Sequence, residues 1–184
     1  MIQESVGSIL THWESFYVII GSSAGALTGL QFVVIALIAE SRQPTSFGQI
    51  DTFGTPTIVH FCVVLLISAI LSAPWPSRTG VALLLSSVAV WGITYTVIVL
   101  LRTRRVTGYR PVLEDWIWHV ALPLLSYAIL LVAALTLAFS STTALFLTGA
   151  VTLILLFVGI HNAWDTVTFI VVKRLSSENK SEGV

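Results

Sequence analysis

ALFLTGAVTLILLFVGIHNAWDTVTFIVV, residues Ala144–Val172, decides the fold class. It is apolar almost throughout and longer than the ~20 residues that cross a hydrocarbon core of about 30 Å. Its surplus length implies a tilt or a protrusion. Moving outward, four further runs have the same character: Phe16–Ala39, Thr57–Trp75, Gly80–Leu101 and Ile117–Phe139. Pro74 and Pro76 end the second, and Pro123 is expected to kink the fourth near its start. A four-span reading, with the last run broken or the second re-entrant, fits less well.

Composition agrees. Hydrophobic residues make up 55% of the 184 and charged residues only 10%, against about 25% charged in soluble domains. The chain therefore reads as a single all-α membrane domain, a compact bundle of five transmembrane helices in contact with the lipid bilayer.

Charge placement orients it. Five spans put Arg42, Arg102, Arg104, Arg105, Arg110, Lys173, Arg174 and Lys180 on one side and leave Arg78 alone on the other. The positive-inside rule makes the crowded side cytoplasmic, with the N-terminus outside and the C-terminus in the cytoplasm. Losing one span would scramble this partition. Aromatic anchors agree: Trp13, Phe16, Tyr17 and Trp75 at outer ends, Trp116 and Trp118 at an inner one. Residues 173–184 read as a short flexible cytoplasmic tail. Asn179-Lys180-Ser181 matches a glycosylation sequon, which means nothing on that side of the membrane.

Several function classes drop out. The one basic cluster between spans is explained by topology, so nucleic acid is not an expected partner. Cys62 is the only cysteine, which excludes an intrachain disulfide and cysteine-pair zinc sites. The first fifteen residues carry Glu4 and Glu14 but no Lys or Arg, so a cleaved signal peptide is not expected. No HExxH motif, phosphate-binding glycine loop or internal repeat is present. Four histidines are too few for the boxes of a desaturase-type di-iron enzyme. His12 reads as an ordinary interfacial residue. Gly21-Ser-Ser-Ala-Gly25 is formally G-x-S-x-G, yet it lies within a hydrophobic helix and not on a strand-turn-helix elbow. Ser23 is also about 15 Å in depth from the membrane histidines, too far for a nucleophile and its base.

Two features remain. Gly21, Gly25 and Gly29, with Ser22, Ala24, Ala26 and Thr28, form a smooth helix strip that admits another backbone. Its partner is either a helix of the same chain or a second copy in a homo-oligomer. The other feature is polar. Asp165 is the one formally charged residue well inside a span, where an acid costs about 2.5–3.5 kcal/mol on insertion scales and needs a partner or a cavity. His161 precedes it by four residues on the same helix face, with Asn162 beside it. Asp115 and His119 repeat that spacing at the start of the fourth span. His60 enters the second span near its cytoplasmic end, and Glu40 closes the first there, with Gln31 above it. Helices of opposite direction thus deliver Glu40, His60, Asp115, His119, His161 and Asp165 to one half of the membrane.

Such a set can bind a metal ion or an axially ligated haem through His60, His119, His161 and Asp165. It can form a proton-linked site in a channel or carrier, or hold a polar metabolite or lipid headgroup. It can also simply hydrogen-bond neighbouring helices and set their register. Binding or translocation of a small ligand, ion or proton is the leading expectation. A metal- or haem-dependent enzyme and a membrane scaffold acting through the glycine face are the alternatives.

Phe16-Tyr-Val-Ile-Ile-Gly21, the small-residue run to Gly29, and Gly159-Ile-His-Asn-Ala-Trp-Asp165 resemble a family of small uncharacterised multi-pass membrane proteins of bacteria. The resemblance covers the first and last spans and the middle only loosely. It implies a bacterial plasma-membrane protein and supplies no activity, cofactor or catalytic residue.

Overall fold

The computed structural model describes residues 6–40, 47–103, 113–137 and 139–182; side chains at 6–9, 37–40, 47–54, 102–103, 115, 170 and 173–182 lie outside that description. Helices account for nearly all of it, and no strand occurs among the described residues. In chain order they are α1 (Val6–Glu40), α2 (Phe47–Ser72), α3 (Arg78–Thr103), α4 and α5 (Ser141–Glu182). The fourth is built from Leu113–Trp116, a π-helical turn over Ile117–Ala121, and Leu122–Thr136. Five stretches are long and apolar enough to cross a membrane: Leu10–Ala36, Thr55–Ser72, Arg78–Leu101, Ile117–Thr136 and Ser141–Phe169. They correspond one to one with the five runs read from the sequence, and the chain is a multi-pass membrane protein.

The boundaries have local causes. After Ser72 the chain enters Ala73-Pro74-Trp75-Pro76, where neither proline can continue the helix. The backbone N–H of Ala73 and the indole N–H of Trp75 both donate to the Ile70 carbonyl, which occupies one of the orphan acceptors at the α2 terminus. Pro56 sits inside α2, so that helix starts well before the expected Thr57. Pro123 follows a π-helical turn in α4. Its ring would strike the carbonyl four residues back in a regular α-helix, and the turn before it widens: Leu122 N–H donates to the Ile117 carbonyl, five residues back. At the other end, residues 173–182 continue α5 as helix through Glu182. Ser, Glu, Asn and Lys are tolerated in a helix that has already nucleated, and the first glycine comes only at Gly183.

Packing runs in a chain of neighbours. α1 lies on α2, α2 also packs on α5, α5 on α4, and α4 on α3. The core along these seams includes Tyr17, Phe61, Val64, Ile67, Tyr127 and Leu155, each fully buried. Outward faces carry Ile19, Phe32, Leu83, Leu135 and Phe157 well exposed, as expected of surfaces solvated by lipid chains. Without a hydrophobic drive between helices in lipid, close backbone approach does the work. Gly92 lets the Tyr127 ring lie against α3, and Gly159 does the same for Phe61 against α5.

The α1 glycines divide in the same terms. A Cβ on Gly21 would stand 2.8 Å from the Ser68 Cβ, whereas one on Gly25 or Gly29 would meet nothing within 4 Å. Gly21→Ala is therefore expected to destabilise the α1–α2 seam, while Gly25→Ala accumulates and melts like the parent protein. Thermal melting of the two variants in the same detergent checks the contrast; equal melting temperatures would contradict it.

Candidate functional site

Where α4 begins, it meets the last third of the apolar part of α5. His161 Nε2 lies 3.1 Å from Asp165 Oδ2, the contact that an i,i+4 spacing on one helix allows. Glu114, from the first turn of α4, brings its Oε1 to 4.0 Å from the same nitrogen. Trp118 covers the imidazole face, with ring centroids 3.8 Å apart and planes 16° from parallel. Glu114 and Trp118 are themselves four residues apart, so one face of the α4 start delivers both. One imidazole nitrogen is thus within reach of two carboxylates from two helices, while an indole holds the ring in place.

The site is a mouth more than an interior. The side chain of His161 is 24% exposed, Asp165 50% and Glu114 69%. Depth explains this. From Ser141 to Asp165 the helix rises about 36 Å at 1.5 Å per residue, more than the ~30 Å core. Asp165 lies toward the C-terminal end of the apolar stretch of α5.

The other expected residues are not seen in this contact, although His60 and His119 are near enough to each other to interact electrostatically. His60 is 2% exposed on α2, and its Nδ1 lies 3.1 Å from the Tyr127 hydroxyl of α4, itself fully buried. His119 is half-buried on the π-helical turn, next to Trp118 in sequence. Asn162 is 1% exposed, and neither its Oδ1 nor its Nδ2 has a partner among the described residues. The side chains of Glu40 and Asp115 lie outside the described residues. Among the described residues, no group of three His, Cys, Asp or Glu side chains could hold a metal ion, so His60, His119, His161 and Asp165 do not form a common ligand set there. Ser23 donates its hydroxyl to the Ile19 carbonyl at 2.8 Å, an ordinary back-bond within a helix and no nucleophile elbow.

Three residues of these contacts were not singled out as site residues from the sequence. Glu114 precedes Trp118 by four, just as Asp115 precedes His119. Both pairs were visible, and only the docking of α4 on α5 shows that the first one faces His161. Trp118 reads from sequence as an interface anchor. Tyr127 carried no signal. No family model, curated protein or solved structure matches the chain, so its function is argued from these residues themselves.

Proposed function

We propose that this membrane protein binds a proton at its cytoplasmic face, through His161 with Asp165 and Glu114 beside it. The observation that carries the reading is the single imidazole nitrogen placed between two carboxylates and fixed by the Trp118 stack. The ring nitrogen is the group that can take up a proton, and the two carboxylates beside it offer only acceptors. Fully buried Phe61, Val64, Ile67 and Leu155 fill the bundle beyond the mouth. That supports binding at one face over passage across the membrane.

The cytoplasmic assignment rests on the Lys and Arg partition, and the resemblance supports a bacterial plasma membrane as the location. A C-terminal green fluorescent protein fusion is expected to fluoresce and an alkaline phosphatase fusion at the same point to be inactive. The reverse pattern would turn the mouth outward. Homo-oligomerisation through α1 is a separate reading, supported by the open space at Gly25 and Gly29. Loss of the higher-mass species in a Gly25→Leu variant would tell for it.

The stacked indole offers an intrinsic test of the main reading. A protonated imidazole quenches an excited indole by accepting an electron, whereas a neutral one does so weakly. In lipid nanodiscs, tryptophan emission should therefore rise as the site gives up its proton on raising the pH. Trp118→Phe and His161→Gln should each remove that step. A step of equal size in both variants, or none in the parent protein, would refute proton binding at this site.

A further inference from the structure

Asn162 follows His161 directly, but about 100° around α5, and so leaves the mouth for the interior. Its side chain is almost fully buried, and both amide atoms lack a partner among the described residues. Its backbone carbonyl accepts from Thr166 Oγ1 at 2.8 Å. A carboxamide brings two N–H donors and an acceptor oxygen with two lone pairs. Buried polar atoms with no partner are rare in folded proteins, and rarer still to be expected where lipid excludes solvent.

Its surroundings suggest what fills the gap. α5 packs on α2 and α4. One turn before Asn162, Gly159 is pressed against Phe61 of α2. The neighbouring His60 reaches Tyr127 of α4 at 3.1 Å. The amide and the His60–Tyr127 pair therefore share the α2–α4–α5 seam, within about one helical turn (~5 Å) of depth. Imidazole, phenol and carboxamide together supply the mix of donors and acceptors that buried water uses, typically two to four partners per molecule.

We infer that Asn162 anchors an internal water bound between itself and the His60–Tyr127 pair. The bundle then has a second polar site behind the mouth, whose ligand is a single water and not a metal or metabolite. Its polar groups come from three helices, and it does not depend on proton binding at His161.

Hydroxyl-radical footprinting in H2(18)O tests this, because radicals formed on bound water modify the side chains that touch it. With the parent protein in nanodiscs, Tyr127, His60 and Phe61 are expected to take up label several-fold faster than Leu85 and Leu145, after correction for intrinsic reactivity. Leu85 and Leu145 are equally buried and serve as dry references. Asn162→Leu should bring the three down to the reference level. Labelling of Tyr127 and Phe61 no faster than the leucines in the parent protein overturns the inference, whether or not the variant folds. Unchanged labelling in a folded Asn162→Leu variant overturns the role of Asn162.

Discussion

Gly92→Ala should destabilise the bundle by about 1–3 kcal/mol, the usual cost of forcing an extra carbon into a packed core. Helix propensity alone predicts the opposite sign, since alanine is favoured over glycine by about 1 kcal/mol in a helix interior. The reversal comes from Tyr127. Its ring atoms occupy the place where the new methyl would go, the residue is fully buried, and its hydroxyl is held at His60. The ring has nowhere to retreat without giving up that contact, so the α3–α4 seam must open instead. Thermal unfolding in detergent should show a clear fall for Gly92→Ala beside an unchanged Gly25→Ala. A Gly92→Ala protein that melts at or above the parent temperature would mean that α3 and α4 are not packed as described.

Asp165→Ala should act in the opposite register, with function lost and fold retained. Its carboxylate is half exposed, and exposed ion pairs contribute about 0–1 kcal/mol. The variant is expected to accumulate and melt like the parent while the pH-dependent tryptophan step is strongly altered, because one of the two carboxylates flanking His161 is gone. Glu114→Gln should alter it less, as its oxygen is at 4.0 Å against 3.1 Å for Asp165. If Asp165→Ala and His161→Ala both fail to accumulate, the pair is holding helices together and the binding reading falls.

The number of spans and their approximate positions were legible because lipid imposes a length and a composition that single runs must satisfy alone. Ala144–Val172 announces a membrane helix without reference to any other residue. The His161–Asp165 contact was legible for a related reason, since both partners lie on one helix at a fixed spacing. What the chain hides is everything decided between helices. Glu114 and Asp115 are neighbours with equivalent partners four residues on, and the π-helical turn before Pro123 helps set which side of α4 meets α5. The pairing of His60 with Tyr127 joins residues of α2 and α4, and no local pattern marks it.

The most direct test of the central claim is a pH titration of the protein labelled with nitrogen-15 in its histidines, followed by NMR in nanodiscs. One imidazole signal, absent from His161→Gln, should pass from the neutral to the charged pattern as pH falls through the histidine range, and its course should change in Asp165→Asn and in Glu114→Gln. A His161 signal that stays constant across that range, or that titrates identically in the parent and in both carboxylate variants, would contradict the account.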